Sequence, residues 1–290
     1  MKQKDKYLER VCRDFFAGQM TLRDCREDVR EYMKKYPTAK QNLSTRRDDR
    51  MYFDAALQIK MCTLKESYTI GIFEEYLKAC GYDIKIEELG NDAVGEIFLD
   101  YKEHKPDYNL DIKGTKFPFD LKLCPTVIKN TFKKTDLDVY SSESGGCGML
   151  VLMGPYAKMN PPRMKKENEN NPEFGKMVQK HLDDFEDYCD KMKKDLKNGV
   201  ITRYPVITTF AFYGPNSIKE LNKFEGRQYS GFAGYKKSVR VTRKGSKDWD
   251  YSDSTLDLFE KKKLIDFVKI ENFKPKLKGP LGKLFGYYYK

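Results

Sequence analysis

The stretch of residues 105–124, KPDYNLDIKGTKFPFDLKLC, constrains the fold most, because its side chains alternate in character on both sides of a glycine. Tyr108, Leu110 and Ile112 share one face of a first strand, with Asn109, Asp111 and Lys113 on the other. In a second strand Phe117, Phe119, Leu121 and Leu123 oppose Pro118, Asp120 and Lys122. Gly114 supplies the positive φ that a tight hairpin turn requires. If the turn centres on Lys113-Gly114, Asp107 lies directly across from Asp120; if it centres on Gly114-Thr115, Asp107 and Asp111 each lie diagonal to Asp120. Both registers gather Asp107, Asp111, Asp120 and Lys122 on one face and the apolar side chains on the other. A one-residue slip would undo that arrangement.

Carboxylates gathered on one face repel, and a divalent cation between them relieves the repulsion. Mg²⁺ suits such a site, since it takes one or two carboxylates and completes its shell with water and phosphate oxygens. A cation so placed polarises a phosphoryl group and lowers the pKa of a bound water. Lys122, two residues from Asp120 on the same face, is placed to hold an attacking water and to offset transition-state charge. The expected reaction is phosphodiester hydrolysis. Acid-x-Lys triplets alone carry no weight, because they occur about as often as this composition would place them. Asp120 differs in its context: Pro106-Asp107 upstream, a glycine turn between, and apolar neighbours that bury its strand. The bland alternative is a solvated hairpin whose charges face water.

With those residues in view, PDYNLDIKGTKFPFDLK resembles the signature of the PD-(D/E)xK nuclease superfamily, with the third acidic position Asp rather than the commoner Glu. The resemblance covers roughly residues 62–155. It implies an α/β restriction-endonuclease-like core, a mixed central sheet flanked by helices. The order implied is a helix carrying a glutamate, a strand, the Pro-Asp hairpin, a helix and a further strand. A helix over 66–80 holding Glu74 and Glu75, a strand from residue 81, a weak helix over 135–144 and a buried strand over 147–155 fill those places. The activity implied is a stand-alone, Mg²⁺-dependent endonuclease of the restriction or phage type acting on DNA, with Mn²⁺ able to substitute. Asp107, Asp111 and Asp120 are the implied metal ligands, Lys122 the catalytic lysine, and Glu74 a further site residue. Double-strand cutting would favour a homodimer. The alternative is a nucleic-acid-binding protein that keeps the fold without the activity.

The rest of the chain divides into a helical region over 1–60, a core over 61–215 with a loop-helix insertion at 155–200, and a basic extension over 216–290. Tyr7, Leu8, Val11 and Phe15 recur at helical spacing. Thr21 caps a second helix that Pro37 stops, and Ser44 is placed to cap a third. Net charge is +5 over residues 1–60, −4 over 61–200 and +10 over 201–290. Between residues 223 and 247 eight basic side chains face one acid, with Tyr229, Phe232 and Tyr235 interleaved. Lys236, Lys237, Arg240, Arg243 and Lys244 are the expected nucleic-acid contacts. The tail over 274–290 is expected to order only on contact.

Several classes are disfavoured. No run of about eighteen apolar residues offers a membrane span, and the opening MKQKDKYLERV lacks the apolar run of a secretory signal. Seven cysteines without CxxC spacing read as reduced thiols, so a cytoplasmic location is expected. Two histidines, neither near a cysteine pair, point away from zinc and histidine-based chemistry, and no GxxxxGK[ST] loop calls for ATP.

Overall fold

The computed structural model of the chain describes residues 2–35, 51–89, 106–124, 129–142, 146–156, 162–202, 205–225, 227–231, 234–242, 259–274 and 277–288. Helices α1 (Lys2–Phe16), α2 (Leu22–Lys35) and α3 (Met51–Ala79) come first. Leu8, Val11, Cys12 and Phe15 form the buried face of α1, and Leu22, Cys25, Val29 and Met33 that of α2, each at helical spacing. Thr21 Oγ1 accepts the Asp24 N–H at 3.1 Å while the Asp24 carboxylate accepts the Thr21 N–H at 2.9 Å, a reciprocal cap that starts α2 where the sequence places it. Arg26 forks onto Asp54 at 2.6 and 2.8 Å and reaches Glu169 at 3.0 Å, binding α2 to α3. Pro37 and Ser44 lie outside the described residues.

Next come β1 (Ile84–Glu88), β2 (Tyr108–Ile112) and β3 (Thr115–Cys124), antiparallel in sequence. The hairpin takes the Lys113-Gly114 register: Tyr108 pairs with Phe119 and Ile112 with Thr115. Both central residues have positive φ, 51° at Lys113 and 85° at Gly114, the geometry whose twist matches paired strands. After β3 follow β4 (Lys129–Lys133), α4 (Lys134–Ser142), β5 (Gly148–Met153), α5 (Phe174–Lys197), β6 (Thr209–Tyr213), α6 (Pro215–Asn222), β7 (Arg227–Gly231), β8 (Gly234–Thr242), β9 (Ile265–Lys269) and α7 (Pro280–Tyr288).

Six strands form one mixed sheet in the order β1-β2-β3-β5-β6-β9, with β3 and β5 parallel and the other pairs antiparallel. A second sheet runs β4-β8-β7. Every residue of β5 is buried, as expected of a strand covered on both faces. One face packs Leu121, Leu150 and Phe210 under α3, α5 and α7 through Phe73, Tyr76, Phe185, Met192 and Phe285. The other packs Met149, Val151 and Tyr213 under α4, α6 and β8 through Leu137, Tyr140, Ile218 and Val239. A third apolar cluster joins α1 and α2 to the first half of α3 and the start of α5. There Gly175 lets α5 pass so close to the Phe15 carbonyl that a Cβ would sit 1.7 Å from its oxygen.

The architecture is thus a mixed α/β sheet flanked by helices, but the boundaries drawn from sequence are crossed. α3 is one 29-residue helix running through 60/61, because its first half buries Phe53, Leu57 and Met61 against α1 and α2 while its second half covers the sheet. α5, expected within an insertion, is a covering layer of the sheet. β9 and α7, expected in a basic extension, complete the sheet and its cover. Within the tail, Leu281 and Phe285 are buried one helical turn apart, and the Asp266 carboxylate accepts N–H groups of Gly279, Leu281 and Gly282 at the start of α7. Among the described residues no helix is long and apolar enough to cross a membrane.

Candidate functional site

The register of β2 and β3 brings two of the expected carboxylates together. One step beyond the Tyr108–Phe119 pair, Asp107 stands across from Asp120, and its Oδ2 also accepts the Leu121 N–H at 2.9 Å. Asp120 and Lys122 align with Met149 and Val151 of β5, which places both on the sheet face covered by α4. Lys122 Nζ forms an ion pair with Asp120 Oδ2 and lies 3.9 Å from Asp136 Oδ2. Side-chain exposure is 6 % for Asp120, 7 % for Asp136 and 28 % for Lys122, so the lysine is the member of this trio most open to an incoming molecule.

These groups set one another's charge. Burial, and then the negative charge of Asp120, pushes Asp107 up to about 9. Burial also opposes ionisation of Asp120, but the Lys122 ammonium, the hydrogen bond with Asp107 and the more distant Lys133 together hold it below its usual range. Two like charges about 4 Å apart repel by about 4 kcal/mol at an effective dielectric of 20, so the pair keeps one proton. Burial disfavours the Lys122 ammonium, yet Asp120, Asp136 and Asp107 outweigh it and raise its pKa. Tyr140, one helical turn beyond Asp136 on α4, is raised by burial and by the same three carboxylates.

Two expected residues are not part of this group. Asp111 lies four positions along the chain from Asp107, roughly 13 Å by strand rise. Its Oδ1 accepts the Gly114 N–H at 2.7 Å, so it shapes the turn. Glu74 sits on α3, over the opposite face of the sheet, in an ion pair with Lys78 at 2.7 Å. The helix phase that buries Phe73 and Tyr76 turns it elsewhere. Glu66, about two turns earlier on α3, acts on the strand that leads from Asp107: after burial, its charge heads those of Glu88 and Asp107 in raising the Tyr108 phenol.

Sequence reasoning passed over Asp136. Its signal was there: Asp136, Leu137 and Tyr140 share the buried face of α4. Of the five expected nucleic-acid contacts, Lys236, Lys237 and Arg240 lie on β8, and Arg243 and Lys244 lie outside the described residues. Among the described residues no group of three or more His, Cys, Asp or Glu side chains is arranged to hold a metal ion. Asp107 and Asp120 form a pair. No protein-family model, curated protein or solved structure matches this chain.

Proposed function

We propose that the chain is a divalent-cation-dependent nuclease with a restriction-endonuclease-like core, hydrolysing DNA phosphodiesters at Asp107, Asp120 and Lys122. The observation that carries this reading is the pairing of Asp107 with Asp120 across a buried hairpin, with Lys122 against Asp120. The element order supports it as well, since α3, β1, the β2-β3 hairpin, α4 and β5 occur in the sequence the resemblance implies, with β4 of the smaller sheet inserted before α4.

The donor set fits Mg²⁺: two facing carboxylates retain a proton in the place where a cation would supply positive charge, and Mg²⁺ needs no more than one or two protein carboxylates. Bound there, Mg²⁺ or Mn²⁺ would supply Lewis-acid stabilisation of the phosphoryl charge. Asp107 and Asp120 hold the negative charge that selects a cation, and the Leu121 N–H fixes the Asp107 carboxylate. Lys122, kept charged by its carboxylate neighbours, orients a water for attack and offsets charge developing on the phosphate. Asp136 restrains the Lys122 ammonium from the α4 side.

The test is incubation of the purified protein with supercoiled plasmid in Mg²⁺ and, separately, in EDTA. Cleavage in Mg²⁺ alone is expected. Binding without cleavage in either condition would favour the second reading, a DNA-binding protein of this fold without activity, for which the supporting observation is that, among the described residues, no three acidic, histidine or cysteine side chains are arranged to hold a metal ion.

A further inference from the structure

The three strands of the smaller sheet contain six basic residues, Lys129, Lys133, Arg227, Lys236, Lys237 and Arg240, and no acid. Register sorts them. Phe132 pairs with Val239, and both are buried against the main-sheet face that carries Met149 and Val151, so that row turns toward the protein. The alternate rows pair Lys129 with Thr242, Thr131 with Arg240, Lys133 with Ser238, Ser238 with Arg227 and Lys236 with Tyr229. Directly opposed residues share a face, and successive ones alternate. Five of the six basic positions therefore fall on the outward face, and Lys237, opposite Gln228, falls on the inward one.

This face is anchored at the carboxylate site. Lys133 ends β4, is exposed, and precedes α4, the helix that carries Asp136. Its positive charge acts on Asp120. From Lys236 to Arg240 the strand advances roughly 13 Å, the rise of about four successive phosphates of one DNA strand. A face with five cationic positions and no acidic residue in its three strands, whose end residue Lys133 acts on Asp120, complements a polyanion.

We propose that the outward face of β4-β8-β7 is the docking surface on which the phosphate backbone of DNA is led to Asp107 and Asp120. The proposal rests on the nuclease reading of that site and adds its substrate track.

The experiment measures binding of a fluorescein-labelled DNA duplex to the full chain by anisotropy, in EDTA, across a salt series. The combined variant Arg227→Gln, Lys236→Gln and Arg240→Gln is expected to flatten the slope of log affinity against log salt by about three contacts' worth, near 0.9 per contact. A control set of equal charge, Lys180→Gln, Lys191→Gln and Lys194→Gln on α5, over the opposite face of the main sheet, is expected to leave the slope unchanged. Should the triple variant fail to fold by circular dichroism, Lys133→Gln alone is expected to flatten the slope by about one contact. An unchanged slope in the variant, equal flattening in both sets, or no DNA binding by the unaltered chain overturns the proposal. Plasmid cleavage is scored separately. A face-specific slope change without cleavage leaves the docking surface standing and removes the nuclease reading; cleavage with an unchanged slope does the reverse.

Discussion

Asp107 and Asp120 stand opposite each other across the hairpin and share a hydrogen bond, so the pair holds a proton far above the ordinary carboxylate range. Between about pH 4, where a free aspartate ionises, and about 9, the folded chain binds more protons at Asp107 than the unfolded chain does. Stability at this site therefore falls as pH rises through that window.

Asp107→Asn removes this dependence, because the amide can donate to Asp120 and still accept the Leu121 N–H. Without metal, the variant is expected to melt at least about 2 °C above the unaltered chain at pH 8, where the retained proton costs more than about 1 kcal/mol, and level with it near pH 4. Mg²⁺ should raise the midpoint of the unaltered chain and leave the variant unmoved. Thermal melts at the two pH values, with and without Mg²⁺, decide it. A variant that melts lower at pH 8 would remove the shared-proton account.

Asp120→Asn and Lys122→Ala should each lower the cleavage rate at least about 100-fold while DNA binding persists. Asp136→Asn should act through Lys122: a smaller loss than Lys122→Ala, and no further loss when the two are combined. Additive losses in the double variant would assign Asp136 a packing role only.

Lys65 is 5 % exposed on α3, and its Nζ lies 2.8 Å from His181 Nε2. Burial lowers its pKa to about 8, below the ordinary value near 10.4. The unfolded chain thus binds the proton more tightly, and this site destabilises the fold below pH 8 and recovers stability between about 8 and 10. Lys65→Met is expected to stabilise the chain at pH 7 by roughly 1–3 kcal/mol and to flatten stability against pH above 8. Urea unfolding at pH 7 and pH 10 measures both; a destabilised variant at pH 7 would show that the His181 contact outweighs the cost of burial.

Asp266 is buried, and its carboxylate accepts backbone N–H groups of Gly279 and Gly282, at 2.5 and 3.1 Å, and of Leu281. Asp266→Ala leaves those donors without that acceptor and should cost roughly 1–3 kcal/mol. Asp266→Asn, which keeps one carbonyl oxygen, should cost less. Limited proteolysis should then cut the alanine variant first at α7. Equal resistance in all three chains would mean that α7 is held by Leu281 and Phe285 alone.

The hairpin was legible because period two is a local property, and the apolar rows of residues 108–112 and 117–123 could be read without knowing their neighbours. Its register was open until the positive φ angles of Lys113 and Gly114 selected one turn. Alternation could place Asp111 on the correct face but not at the correct distance. Glu74 failed for a different reason. α3 is apolar in different directions along its length, so its phase against the sheet depends on which core each half meets, and that is tertiary information. Asp136 was obscured by the serines and charges around it, and α7 by its reliance on Asp266, which no window over residues 274–290 contains. The basic residues of β8 were recognised as a group, but sorting Lys236 and Arg240 from Lys237 needed the pairing with β4 and β7.

The unbroken course of α3 makes it an indexed shaft between two bodies. Its first half is gripped by α1 and α2, and its second is seated on the sheet that carries the carboxylate pair. Each helical residue sets a rotation of about 100° and an advance of about 1.5 Å. One residue gained or lost between Met61 and Ile70 would therefore turn the α1-α2 pair by more than a quarter revolution about the sheet, and only changes of about a full turn would return it near its seat. The number of residues in that span is as much a part of the structure as their identities.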